Sequence, residues 1–198
     1  ANRAVCNEMK RRGGGRMGTT IAALYVDGDT AVSCNVGDSR CYYMHRGTLR
    51  QMSVDDSEAR SMIEMGILSP EKARASKSWH KLTQHLGVHP DEFVIEPHIS
   101  APMHLEPGDI FLLCSDGLTD MVMDETIAEI LRGTGTAMQK ADALVETALE
   151  KGGRDNVTVE VLQVKDGGED RKAGFLHRIP TAVWLLLFFL AAAAVIIA

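Results

Sequence analysis

The feature that most constrains this sequence is a run of five apolar residues that stops at an acidic turn. Residues 110–114 read Ile-Phe-Leu-Leu-Cys, and Ser115-Asp116-Gly117 follows at once. An uninterrupted apolar run of this length predicts a strand that is buried on both faces. The aspartate at its end is typical of a turn, but it is also a good ligand for a hard cation. This stretch alone leaves both interpretations of Asp116 open.

The overall composition narrows the class of protein. A chain of 198 residues allows one domain of ordinary size plus an appendage. Its formal net charge of -6 argues against binding to nucleic acid, which depends on Lys and Arg to neutralise phosphates. The cysteines show no CxxC spacing, which favours small buried side chains in a reduced, cytoplasmic domain over a disulfide or zinc set. They are Cys6, Cys34, Cys41 and Cys114.

The end of the chain is strongly apolar. Residues 181–198 contain no charged side chain, and at about 1.5 Å per residue a helix of this length spans about 27 Å. We expect a transmembrane helix here; the alternative is a buried core helix. Basic residues in the linker 166–180, with Trp184 as an interfacial anchor, predict a single-pass protein of the cell membrane whose domain 1–165 is cytoplasmic. The basic residues are Arg171, Lys172, His177 and Arg178.

The order of patterns along the chain predicts an α+β domain. Residues 19–52 alternate between β-prone segments and turns, and we expect them to form one antiparallel meander of four strands. Residues 55–89 show helical spacing with few large apolar side chains, which predicts a mobile flap. Further strands are expected at 93–99 and 157–164. Between them lie two helices, one capped by Asp124 and one starting at Thr136, which should cover a face of the sheet.

Three acidic residues stand where strands begin or end. Asp38 and Asp116 each follow a predicted strand, and Asp155 precedes one. Because neighbouring antiparallel strands run in opposite directions, all three can reach one edge of the structure. Their charges would repel each other unless a cation such as Mg²⁺ or Mn²⁺ neutralised them. The alternative, three unrelated turn aspartates, stays open at this point.

Five motifs resemble, in this order, those of the metal-dependent (type 2C) serine/threonine protein phosphatases in their bacterial form. The resemblance covers about residues 1–165. The motifs are Arg-Met-Gly-Thr-Thr at 16–20, Val-Gly-Asp-Ser-Arg at 36–40, Leu-Thr-Gln-His-Leu-Gly at 82–87, Cys-Ser-Asp-Gly-Leu-Thr-Asp at 114–120 and Gly-Arg-Asp-Asn-Val-Thr at 153–158.

This resemblance implies a fold, a cofactor and an activity. The fold would be two antiparallel β-sheets packed as a sandwich and flanked by helices. The cofactor would be two core Mn²⁺ or Mg²⁺ ions and a third ion. The reaction would be hydrolysis of phosphoserine or phosphothreonine on proteins by a metal-activated water. Asp116 and Asp155 match ligands of the core ions, and Asp38 with Asp116 matches the third site. Ser115, by contrast, is expected to be a structural support.

The sequence also departs from the family pattern. Family members normally carry an upstream phosphate-binding Arg and an Asp-Gly-x-Gly-Gly-His motif, and neither occurs here. We therefore expect a domain that lacks its N-terminal portion, is weak or inactive as a phosphatase, and offers no confident catalytic residue. In addition, Asp55-Asp56-Ser57 stands where many bacterial members have Asp-His-Ser.

Three functions compete on these grounds. The first is a membrane-tethered phosphatase whose partners are phosphoproteins, a Ser/Thr kinase or its targets. The second is a non-catalytic, phosphatase-like binding or regulatory domain at the membrane. The third is a membrane protein whose domain only scaffolds.

Overall fold

A computed structural model describes residues 1–165 of the chain. Over these residues, helices and strands are mixed along the sequence. The helices are α1 Asn2–Arg11, α2 Glu58–Glu64, α3 Pro70–Arg74, α4 Asp116–Thr119, α5 Asp124–Arg132 and α6 Ala137–Glu150. The strands are β1 Ile21–Asp27, β2 Thr30–Val36, β3 Arg40–His45, β4 Thr48–Gln51, β5 His98–Ile99, β6 Met103–His104, β7 Ile110–Cys114 and β8 Val159–Gln163.

The strands form two antiparallel sheets. In the first sheet β1 pairs with β2, and β2 also pairs with the short strands β5 and β6. The second sheet has the order β4-β3-β7-β8. Apolar side chains from both sheets share one buried cluster, which contains Leu24, Ala31, Cys41 and Phe111. The predicted α+β fold of two antiparallel sheets with helices is therefore confirmed for the described residues.

Strand β7 lies between two layers, as its unbroken apolar sequence predicts. Phe111 points to the first sheet, whereas Leu112 points to the opposite side, and both are almost fully buried. On that opposite side, Leu112 belongs to a second apolar cluster with Ile127 of α5 and Leu144 of α6. Successive side chains of a strand point to opposite faces, so both faces must be apolar to fill both layers.

The predicted four-strand meander is wrong as a single sheet. β2 pairs within the first sheet and β3 within the second, so the chain crosses between the sheets at residues 37–39. Gly37 makes this crossing with a left-handed backbone, φ 98°, which favours glycine. A Cβ at this position would lie 2.3 Å from Cγ2 of Thr20. Asp38 therefore sits on a tight connection between the two layers.

Three smaller predictions also differ from the structure. Of the strand expected at 93–99, only His98–Ile99 pairs with a neighbour, and Val94 is largely exposed. The last strand is shorter than predicted, Val159–Gln163. Asp124 is the first residue of α5, and the capping position is Met123; the Asp124 carboxylate accepts a hydrogen bond from the Tyr42 hydroxyl at 2.9 Å.

Other helix starts agree with the sequence. Ser69 caps α3 ahead of Pro70, and Thr136 begins α6 with a capping box. The flap, residues 55–89, holds α2 and α3 and buries few apolar side chains, as expected; its predicted mobility stays a prediction.

The described part of the chain contains no helix that combines the length and apolar character needed to cross a membrane. The predicted linker at 166–180 and the predicted transmembrane helix at 181–198 lie outside the described residues.

Candidate metal centre

Asp116 and Asp120 sit one helical turn apart at the end of β7. After Cys114 the chain passes through the extended residue Ser115 into α4, a single turn that begins at Asp116. Asp120 ends that turn, four residues later, so both carboxylates lie on the same side of it. Asp120 was not among the predicted ligands. The four-residue spacing of Asp116 and Asp120 was the available signal of a shared helical turn. The Asp116-Gly117 pair, however, predicts a β-turn and not a helix at this position.

The loop that carries Asp155 lies directly beside this turn. The N–H of Ser115 donates to the carbonyl of Thr158 at 3.0 Å, and the Thr158 N–H donates to Oγ of Ser115 at 3.1 Å. A Cβ at Gly117 would lie only 2.3 Å from the carbonyl oxygen of Asn156. The antiparallel pairing of β7 with β8 therefore brings Asp155 to the edge where Asp116 is, as the sequence predicts.

The charges of these acids act on one another. Burial raises the pKa of Asp116, and the neighbouring charges of Asp120 and Asp155 raise it further. Burial and then the charge of Asp116 raise the pKa of Asp38 to about 7. A bound cation would reverse both effects, because it favours the charged form of a carboxylate. The structure thus brings Asp38, Asp116 and Asp155 into one electrostatic cluster; their role as ligands stays a prediction.

The flap contributes a histidine to the same cluster. One ligand atom from each of His80, Asp116 and Asp120 lies within 4.8 Å of the others. Nδ1 of His80 is 3.4 Å from Oδ2 of Asp120. Carboxylate oxygens and an imidazole nitrogen form a donor set that fits a divalent cation such as Mn²⁺. Sequence reasoning missed His80, since 36 residues separate it from Asp116 and no local pattern connects them.

The connection that carries Asp38 is held from the flap side. The N–H of Gly37 donates to Oδ2 of Asp56 at 2.9 Å, and Asp56 is buried. Oδ1 of Asp56 accepts a hydrogen bond from Nε2 of Gln84 at 2.9 Å and lies 2.8 Å from Nε2 of His98. Asp56, which departs from the Asp-His-Ser pattern, therefore ties the flap to the Asp38 connection. This arrangement gives it a structural role.

An ion pair supports the same region from the second sheet. The Arg40 guanidinium contacts the Asp55 carboxylate through two nitrogens, with Nε at 3.0 Å and Nη2 at 2.5 Å, and both side chains are nearly buried. Nη1 of Arg40 also donates to the Tyr42 hydroxyl at 2.8 Å. Paired carboxylate and guanidinium groups of this kind fix geometry. The start of the flap is thereby anchored to β3.

An open cleft of about 370 Å³ lies beside the acids, where a substrate could approach them. Its lining residues come from the flap, the α4 turn and the Asp155 loop. They include Arg74, Trp79, His80, Asp120, Arg154 and Asp155. Neither arginine forms an ion pair among the described residues. The cleft therefore presents positive side chains next to candidate metal ligands.

Comparison with known proteins identifies bacterial serine/threonine phosphatases as relatives. The chain is 38% identical over 150 residues to the serine/threonine protein phosphatase PstP of Mycobacterium tuberculosis, covering 76% of this chain and 28% of that protein. It is 36% identical over 151 residues to the serine/threonine phosphatase stp of Listeria monocytogenes, covering 74% of this chain and 57% of the relative. The chain thus spans about a quarter of the length of the M. tuberculosis protein and little more than half of the length of the Listeria protein.

Solved structures share the fold. The serine/threonine phosphatase PstP/Ppp of M. tuberculosis superposes with a TM-score of 0.76 at 33% identity, covering 83% of this chain and 68% of that one. The catalytic domain of PstP in complex with two manganese ions gives a TM-score of 0.73 at 34% identity, covering 83% and 67%. A profile of the protein phosphatase 2C family matches residues 4–152, which is about three quarters of the sequence. The chain belongs to the protein phosphatase 2C family.

Proposed function

We propose that this chain is part of a metal-dependent protein phosphatase that hydrolyses phosphoserine and phosphothreonine on proteins. The observation that carries the proposal is the cluster of Asp38, Asp116, Asp120 and Asp155 at one edge of a protein phosphatase 2C fold. A fold of this size gains nothing in stability from carboxylates that raise each other's pKa. Their grouping is explained if they bind cations.

The cofactor we propose is Mn²⁺ or Mg²⁺, with two core ions and a third. Asp116 and Asp155 would hold core ions, and Asp38 with Asp116 would hold the third. Asp120 and His80 are placed to contribute on the flap side. When bound, such ions lower the pKa of a coordinated water and neutralise charge on a phosphoryl group.

The residues of this chain would position the substrate. Asp120 and Asp155 line the cleft, and Trp79 and His80 of the flap line it with them. Arg74 and Arg154 stand where negative groups of a phosphoprotein would enter, so they can attract and orient it. Gly117 keeps the two acidic loops close enough to act together.

A second candidate function keeps the same cluster of carboxylates but not the hydrolysis. The alternative is a non-catalytic, phosphatase-like domain that binds phosphoproteins or regulates a partner. Both functions retain the cations, but only the first hydrolyses a phosphate ester. The two can therefore be separated by an activity measurement in which the upstream Asp-Gly-x-Gly-Gly-His motif of the family is supplied.

A chimera provides that measurement. The part of the Listeria phosphatase that precedes its matched region would be joined to this chain, and release of phosphate from a phosphothreonine peptide would be followed with Mn²⁺. We expect hydrolysis that depends on Mn²⁺ and is lost in Asp116→Asn, whereas the chain alone should be weak or inactive. A folded, Mn²⁺-binding chimera without activity would support the non-catalytic function.

We also propose a membrane location for the whole protein. The support is the uncharged, apolar stretch 181–198 and the basic residues that precede it. The domain would then lie on the cytoplasmic side, where a Ser/Thr kinase or its targets would be partners. Recovery of the full chain in the membrane fraction, and of a chain ending at residue 180 in the soluble fraction, is the expected result. Equal distribution of both would contradict it.

A further inference from the structure

Trp79 of the flap is placed beside the metal centre and outside both apolar clusters. Its ring lies near two guanidinium groups, with Cζ of Arg74 at 5.4 Å and Cζ of Arg40 at 6.0 Å from the ring centroid. Its indole Nε1 donates a hydrogen bond to Oδ1 of Asp120 at 2.8 Å. Packing alone does not explain a polar contact aimed at this carboxylate.

The two oxygens of Asp120 have different partners. Oδ1 receives the Trp79 N–H, while Oδ2 faces His80 at 3.4 Å. The Asp120 side chain is only 16% exposed, so water supplies little of its solvation. A donor fixed on one oxygen sets the rotation of the carboxylate and leaves Oδ2 facing His80, which belongs to the same candidate donor set.

A second bond ties the flap to the same turn. Nη2 of Arg74 donates to the carbonyl of Thr119 at 2.8 Å, one residue before Asp120. The guanidinium also covers the face of Trp79, an arrangement in which each side chain limits the motion of the other. Flap and α4 are therefore joined at two consecutive residues, next to the candidate ligands.

We propose that Trp79 is a positioning residue that couples cation binding to the flap. Its N–H holds the Asp120 carboxylate in the orientation that a cation needs, and cation binding in turn holds the flap against α4. The coupling is reciprocal because binding free energies are linked. The proposal rests on the proposed metal centre and adds to it a residue that acts through the orientation of Asp120.

The test compares the chain with its variants Trp79→Phe and Asp120→Ala and with the double variant. Phe retains an aromatic ring beside the arginines but has no N–H to donate. Calorimetric titration with Mn²⁺ should show about 10- to 100-fold weaker binding for Trp79→Phe, the usual effect of losing a partner of a metal ligand. In the Asp120→Ala background the same substitution should have little further effect, because the oxygen that accepts the Trp79 N–H is gone.

Trypsin cleavage supplies a second readout. The flap contains Lys77 and Lys81, and Mn²⁺ should slow cleavage there in the parent but not in Trp79→Phe. Arg74→Gln removes the hydrogen bond to Thr119 and should also lose the Mn²⁺-dependent protection of Lys77 and Lys81 from trypsin. This variant replaces Trp79→Phe in the test if Trp79→Phe does not fold. Arg60→Ala is the matched control, because Arg60 pairs with Glu64 on the exposed side of α2 and should leave Mn²⁺ binding and protection unchanged.

The outcomes separate this inference from the function on which it rests. A parent chain that binds no Mn²⁺ would overturn the metal centre and the coupling together. A parent that binds Mn²⁺, with Trp79→Phe binding equally well, would overturn the coupling alone. An equal loss from Trp79→Phe with and without the Asp120 carboxylate would show that Trp79 does not act through Asp120.

Discussion

Gly117→Ala should separate the two acidic loops, and the size of the effect follows from one distance. Gly117 has no positive φ, so alanine meets no backbone penalty there. Its Cβ would nevertheless lie 2.3 Å from the Asn156 carbonyl oxygen, whereas ordinary contact begins at 3.4 Å. The loops must therefore move apart by about 1 Å. Overpacking of this kind costs about 1–3 kcal/mol, against which the helix propensity of alanine offsets at most about 1 kcal/mol.

The same movement should damage cation binding more than stability. Metal–ligand distances tolerate only about ±0.2 Å, so a shift of about 1 Å between Asp116 and Asp155 should weaken Mn²⁺ binding by at least tenfold. Urea unfolding and calorimetric titration measure the two effects separately. Gly133→Ala is the control: its Cβ would lie 3.1 Å from the Ile130 carbonyl oxygen, at the end of α5. Parent-like Mn²⁺ binding by Gly117→Ala would refute the reasoning.

Three further predictions concern stability. The pKa of Asp38 is raised from 3.8 to about 7, so between these values the metal-free folded state holds a proton that the unfolded state has lost. Stability should therefore fall by roughly 3 kcal/mol as pH rises from about 4 to 7, and Asp38→Asn should remove most of this slope in urea unfolding with chelator. Arg40→Gln leaves the Asp55 carboxylate buried without its partner and should cost about 3–5 kcal/mol in urea unfolding, whereas a loss below about 1 kcal/mol would show that the pair is unimportant. Thr136→Ala removes the capping box of α6 and should cost about 1 kcal/mol, measured as a shift of the urea midpoint at unchanged m-value.

Features that depend on local pattern were predictable from the sequence. The unbroken apolar run at 110–114 identifies a strand between two layers, and antiparallel neighbours necessarily bring Asp116 and Asp155 to one edge. The capping residues Ser69 and Thr136 have side chains that satisfy backbone N–H groups within their own first turn. Each of these signals lies within a few residues of its effect.

Features that depend on distant segments were not predictable in the same way. The split between β2 and β3 depends on Gly37 packing against Thr20, which a strand-and-turn pattern does not reveal. His80 and Trp79 reach the acids only because the flap folds back onto α4 through contacts 40 residues apart. Asp120 is part of the motif at 114–120, but it lies beside Asp116 only because of a helical turn, and the Asp-Gly pair predicts a β-turn there instead.

Mn²⁺ titration of the parent chain and of Asp116→Asn tests the central claim most directly. At pH 7 the parent should bind Mn²⁺ and release protons, because binding favours the charged forms of Asp38 and Asp116, whose pKa values are raised in the metal-free protein. Titrations in two buffers of different ionisation enthalpy measure that release. Asp116→Asn should weaken binding by more than about 100-fold, since we propose that this residue holds both a core ion and the third ion. Equal Mn²⁺ binding by both proteins, or binding by the parent without proton release, would contradict the account.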